Sequence, residues 1–164
     1  MTAVALSLGS NLGNRGENIS RMESLLEFFL KGPFLKSSLM ETEPVGVEDQ
    51  RWYFNRIISG NYEREPLDLL TAVEDLEKEL GRDGKGLLKP RTADIDILIF
   101  GDREIKTERL TIPHRGVLER RFCLEGLNQI VPDWEYPGSG KKIRWFFENM
   151  DRSVRGQKIR FIQN

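Results

Sequence analysis

Apolar residues recur along this chain in two rhythms. Short alternating or continuous runs fall at Ala3 to Gly9, about Phe34 to Thr42, Tyr53 to Tyr62 and Ala93 to Phe100, and each reads as a strand. After the first run and the turn Asn11 to Gly16, Ile19, Met22, Leu25, Leu26 and Phe29 stand at helical spacing. Leu69, Val73, Leu76 and Leu80 do the same after the third run. Gly32-Pro33 is expected to end the first helix, and Pro66 suits the first turn of the second. Further on, Arg115 to Ile130 and Ser139 to Met150 predict two more helices, the latter with Ser139 as N-cap.

Strand, helix, strand, strand, helix, strand is the split βαβ order. It predicts an α+β, ferredoxin-like βαββαβ sandwich: an antiparallel or mixed sheet, helices on one face, and C-terminal helical additions. No repeat, low-complexity tract or linker interrupts the chain, so residues 1–164 read as a single domain.

Composition narrows the function classes. With 25 basic and 26 acidic residues the formal net charge is −1, so no global field favours nucleic acid. No apolar run approaches membrane-spanning length, and no membrane partner is expected. Cys123 is the only cysteine, which removes any disulfide framework and makes a reducing cytoplasm the expectation. The thiol itself reads as a small apolar residue on a helix. His114 is the only histidine, so a metal site built on imidazoles is excluded.

The candidate chemistry centres on Asp94-Ile95-Asp96. Strand alternation sends both carboxylates to one side, ~7 Å apart by strand rise. Their repulsion, ~2–3 kcal/mol at an effective dielectric of about 20, calls for a compensating cation. A hard divalent ion that shares its coordination with substrate phosphates is one solution. A solvated strand entrance paired with Arg91 is the other, and on the aspartates alone the two stand level. The preceding loop, Gly81 to Arg91, carries three glycines and four cations. By itself it reads as a surface turn; beside two aspartates it suits a magnesium–nucleotide complex. Gly138-Ser139-Gly140-Lys141 is not a Walker A loop, because Glu135 and Lys142 occupy the positions where glycine and Ser/Thr are required. Tyr53 and Asn55 share a strand face, a ring to stack on a heterocycle and an amide to read its edge, with core packing as the plainer alternative. His114 precedes a helix carrying Arg120, Arg121 and Phe122, either as a helix-start hydrogen-bonding group or as a phosphate donor.

Six ordered motifs together resemble the 6-hydroxymethyl-7,8-dihydropterin pyrophosphokinase family of folate biosynthesis. They are Leu8-Gly9-Ser10-Asn11-Leu12-Gly13, Thr42-Glu43-Pro44-Val45-Gly46, Tyr53-Phe54-Asn55, Gly81-Arg82, Pro90-Arg91-Thr92 with Asp94-Ile95-Asp96, and Thr107 through His114. The resemblance implies a monomeric enzyme moving diphosphate from ATP to the pterin hydroxymethyl group. It implies that Asp94 and Asp96 hold two Mg²⁺ ions and that Arg82 and Arg91 bind phosphates. Tyr53 and Phe122 would flank the pterin ring, with Thr42, Pro44, Val45 and Asn55 at its edge. Glu74, Glu77, Ile97, Thr111, His114, Arg115 and Arg120 would line the ATP pocket, and the Gly81–Pro90 loop would close over it. This chain departs from the family pattern at Gly84, at Leu87 to Lys89, at Arg115 and at Glu74. A noncatalytic ligand-binding module on the same fold is the competing class, but it has no need of the Asp-x-Asp pair together with Arg82 and Arg91. An RNA-binding domain would need a basic sheet face with exposed aromatics.

Overall fold

The computed structural model describes residues 1–44, 50–81 and 90–163. The elements run β1 (Thr2–Ser10), α1 (Arg15–Leu26), β2 (Lys31–Lys36), β3 (Leu39–Thr42), β4 (Tyr53–Tyr62), α2 (Pro66–Glu79) and β5 (Asp94–Phe100). There follow β6 (Ile105–Lys106), β7 (Thr111–Ile112), α3 (Gly116–Glu119), α4 (Arg121–Ile130), β8 (Glu135–Tyr136), β9 (Lys141–Lys142), α5 (Ile143–Glu148), α6 (Arg152–Arg155) and β10 (Ile159–Ile162). The main sheet has the order β10-β3-β4-β1-β5 with every pair antiparallel, which is the predicted ferredoxin-like arrangement extended by one strand.

Both faces of the sheet are covered. Val4, Leu6, Leu8, Ile95 and Ile97 meet Ile19, Met22 and Leu26 of α1 and Leu69, Val73 and Leu76 of α2. On the other side Ala5, Met40, Ile57, Leu98 and Ile99 meet the C-terminal additions, through Cys123, Leu124 and Leu127 of α4 and Ile143 of α5. α4 crosses β4 so closely that a Cβ on Gly126 would overlap Ile57. The run Ile97 to Phe100 is apolar throughout because both faces of β5 are covered, and a β-bulge decides which residue joins which core. Leu6 pairs with Ile97 and Ala5 with Ile99, so Leu98 and Ile99 both join the second core while Ile97 and Phe100 join the first.

Four sequence expectations need correction. The strand expected over Phe34 to Thr42 is broken at Ser37, whose N–H donates to Ile57 O and whose hydroxyl accepts from Ile57 N–H, both at 2.9 Å. A side chain thus completes the ladder between β2 and β3. Helix α1 ends at Leu26, and Gly32-Pro33 lies inside β2. The helix expected over Arg115 to Ile130 divides at Arg120, which takes extended backbone angles (φ −115°, ψ 118°). Ser139 is a turn residue of the β8–β9 hairpin: its hydroxyl donates to Tyr136 O at 2.6 Å, and α5 starts only at Ile143. Pro66 does open α2, where Glu65 N–H donates to Asp68 Oδ2 at 3.2 Å.

Buried Glu41 on β3 joins three parts of the molecule. It accepts from Arg15 Nη1 at 2.7 Å, pairs with Arg160 of β10, and Arg15 in turn lies over the Phe54 ring and donates to Trp52 O. Burial alone would raise its carboxyl pKa, but the two guanidiniums outweigh that and hold it below the ordinary value. A depressed carboxylate contributes stability that is complete above the ordinary carboxylate range and fades as pH falls through the lowered pKa. Glu41→Gln is therefore expected to cost about 1–3 kcal/mol at pH 7 and less at acid pH. Urea midpoints measured at pH 7 and pH 4 test this; an equal gap at both would contradict it.

Candidate active site

Antiparallel register assembles the site in rows. Asn55, Gly9 and Asp94 stand side by side across β4, β1 and β5, and in the next row stand Ile57, Ser7 and Asp96. Residues abreast in a sheet share a face, so Asn55 and both aspartates face the side of α3 and α4. Gly9 makes the first row workable. A Cβ there would lie 2.8 Å from Asn55 Oδ1, 3.4 Å from Tyr53 Cδ1 and 3.8 Å from Asp94 Cβ, so three predicted site residues converge over one missing side chain. Asn55 is buried, and its amide donates to Thr42 Oγ1 at 2.6 Å.

Two guanidiniums and an imidazole face the two carboxylates. Arg91 Nη1 donates to Asp94 Oδ2 at 3.1 Å, while Arg120 Nη1 lies 3.6 Å and His114 Nε2 3.7 Å from Asp96. Each aspartate side chain keeps 18% of its surface open. His114 is fixed from two sides: its N–H donates to the bulge carbonyl of Leu98 and its Nδ1 accepts from Gly116 N–H, both at 2.9 Å. With Nδ1 accepting, the ring proton sits on Nε2, the nitrogen facing Asp96. The helix-start role expected for His114 is thus present.

Sequence reasoning gave Asn11 a place in a motif but no role. It is 2% exposed and fully engaged. Its N–H donates to Arg91 O at 2.9 Å, its Oδ1 accepts from Arg91 N–H at 2.7 Å, and its Nδ2 donates to Gln50 Oε1 and Arg51 O. The Arg91 backbone is therefore held independently of its guanidinium.

Two concavities meet at Arg120. A cleft of about 370 Å³ is lined by Asp96, Ile97, Thr111, His114, Arg115 and Arg120, all but one of them predicted nucleotide contacts. A second cavity of about 240 Å³ is lined by Thr42, Pro44 and Phe122, three predicted pterin contacts, together with Arg120, Gln157 and Lys158. Glu74 and Glu77 do not form walls of the cleft. Glu74 accepts from Arg109 at 3.0 Å, and Glu77, 3% exposed on the α2 side, accepts from Ile95 N–H at 2.8 Å. Val45, Arg82 and the expected closing loop lie outside the described residues.

Among the described residues no cluster of three or more His, Cys, Asp or Glu could hold a metal unaided. Two partly open carboxylates fit Mg²⁺, which is commonly bound through one or two carboxylates and completed by substrate phosphates. Cys123 offers no nucleophile, since burial pushes its thiol pKa up to about 12. No described helix is long and apolar enough to cross a membrane.

The family described as 7,8-dihydro-6-hydroxymethylpterin-pyrophosphokinase (HPPK) matches residues 5–132. The chain is 39% identical over 131 residues to the 2-amino-4-hydroxy-6-hydroxymethyldihydropteridine pyrophosphokinase of Bacillus subtilis, covering 79% of this chain and 78% of that one. To the enzyme of the same name from Methylorubrum extorquens it is 34% identical over 157 residues, covering 93% and 96%. It is 40% identical over 129 residues to the folate synthesis bifunctional protein of Arabidopsis thaliana, of whose length the match spans 27%. Among solved structures, Plasmodium falciparum HPPK-DHPS with pteroate shares the fold, with a TM-score of 0.70 at 15% identity over 94% of this chain and 45% of that one.

Proposed function

This chain belongs to the 7,8-dihydro-6-hydroxymethylpterin-pyrophosphokinase family, and from that premise we propose that it transfers diphosphate from ATP to the hydroxymethyl group of 6-hydroxymethyl-7,8-dihydropterin, acting as a monomer in the cytoplasm. The observation that carries the reading is Arg120, which cleft and cavity share and which faces Asp96 of the cleft, where a nucleotide tail would meet a heterocycle.

The pterin would lie between Tyr53 and Phe122, its edge read by Asn55 and by the backbone from Thr42 through Pro44 to Val45. ATP would occupy the cleft along Ile97, Thr111, His114, Arg115 and Arg120. Asp94 and Asp96 would hold two Mg²⁺ ions, which when bound neutralise phosphate charge and lower the pKa of a coordinated alcohol. The pterin hydroxymethyl oxygen bonds to the β-phosphorus, and the bond from that phosphorus to the oxygen shared with the α-phosphate breaks. AMP leaves with the shared oxygen, and the alcohol proton passes to solvent. Arg82, Arg91 and Arg120 take up charge on the phosphate oxygens, while His114 Nε2–H supplies a donor beside them. Among the described residues no base is positioned for the alcohol, so positioning and electrostatics supply the rate.

Incubation with ATP and the hydroxymethyl pterin should release AMP, and EDTA should stop it; AMP release unaffected by EDTA would refute the metal assignment. Asn55→Ala should weaken pterin binding about 10–100-fold, the cost of one buried polar contact. ATP-analogue affinity should change far less. Calorimetry with each ligand separates the two, and equal losses would contradict the assigned role.

A further inference from the structure

Gln157 lies beyond residue 132, where the family match ends, yet it grips the centre of the site. Its side-chain Oε1 accepts from Arg121 N–H at 2.9 Å and its Nε2 donates to Glu119 O at 2.7 Å. These are the two peptide groups flanking Arg120. Arg120 itself has β-type backbone angles, its own N–H donates to Gly116 O, and its carbonyl accepts from Cys123 N–H. One primary amide therefore does for Arg120 what a neighbouring strand does for a residue in a sheet.

The need for such a brace follows from the residue types. Arg120 stands at the N-cap of α4, and a guanidinium carries no acceptor for the orphan N–H groups of the first turn. Without an outside acceptor, the stretch from Gly116 to Ile130 has little reason to break at this residue. A continuous helix would turn Arg120 and Phe122 to different directions. The clamp is itself held: Arg121 Nη1 donates to Arg155 O and Gln157 O, Arg121 Nε to Glu125, and Ile159 pairs with Thr42 in the sheet. The segment from Gln157 to Ile159 thus bridges β3 and the α3–α4 break, and forms a wall of the cavity beside Phe122.

We propose that Gln157 is a positioning residue for diphosphate transfer, holding Arg120 extended so that its guanidinium faces Asp96. This rests on the function proposed above. It acts through Arg120, and its effect should disappear when Arg120 is absent.

The test is a double-mutant cycle on kcat/KM for AMP release, with thermal unfolding measured alongside. Gln157→Met keeps the length of the side chain and removes both hydrogen bonds. It should lose ~10–100-fold, the penalty of a displaced transition-state group. In an Arg120→Ala background the same change should cost under about 3-fold, because the two residues form one unit. Gln157→Glu retains the acceptor for Arg121 and should fall between, which keeps the test available if the methionine variant fails to fold. Multiplicative losses, or full activity in both Gln157 variants, would overturn the proposal while leaving the proposed function intact. A wild-type protein that releases no AMP would overturn the function, and this role with it.

Discussion

Asp96→Ala is expected to lower kcat/KM for AMP release by about 10³-fold or more, the scale set by loss of transition-state charge stabilisation and metal coordination together. The carboxylate lines the cleft proposed for ATP and faces Arg120, the residue that cleft and cavity share, and its removal takes one of only two acidic metal ligands proposed for the site. It also leaves Arg120 and His114, now 3.6 and 3.7 Å from it, without the carboxylate they face. Both would then be free to contact phosphate directly. Affinity for an ATP analogue should consequently fall far less than turnover, a split that simple unfolding would not produce. AMP formation at saturating Mg²⁺ and calorimetry with the analogue measure the two quantities. Near-normal turnover would show that Asp96 is not part of the chemistry.

Arg91→Ala should cost on the order of 10²-fold or more in kcat, as for deletion of a preorganised donor to developing charge. The backbone of Arg91 is tied by Asn11 through two hydrogen bonds that do not involve the guanidinium, so the alanine variant should retain the local chain path. What is lost is the planar fork beside Asp94. Arg91→Lys should recover little, because a point charge cannot reproduce bidentate phosphate contact. A lysine variant with wild-type rate would reduce the role of Arg91 to charge alone, and an alanine variant with wild-type rate would remove it.

The strands with clear alternation were legible before the fold was known. Tyr53 to Tyr62 is β4 to the residue, and the run after Thr92 is β5 apart from Ala93. The shared side of Asp94 and Asp96 followed from strand geometry alone. What escaped was set by partners distant in sequence. Nothing within Arg115 to Ile130 announces a break at Arg120, since the amide that makes the break favourable is Gln157. β10 is four residues long and is held by β3, too short for its own pattern to reveal it. The Leu98 bulge was hidden because two faces of apolar core make an unbroken apolar run. Helical spacing places Glu77 on the buried stripe of α2, yet only the fold shows that its carboxylate receives an amide of β5. Asn11 likewise looked like a turn residue, and its four bonds to Arg91, Gln50 and Arg51 depend on chain segments far from it.

The sequestered sulfur of Cys123 gives this enzyme a built-in gauge. It is the one cysteine of the chain, sits at 0% exposure on the sheet-facing side of α4, and its pKa of about 12 leaves almost no thiolate at neutral pH. An alkylating reagent would leave the native molecule unmarked and tag only copies in which α4 has lifted from the sheet. The rate of labelling would then count those openings one by one, with no engineered probe and no competing site on the same chain.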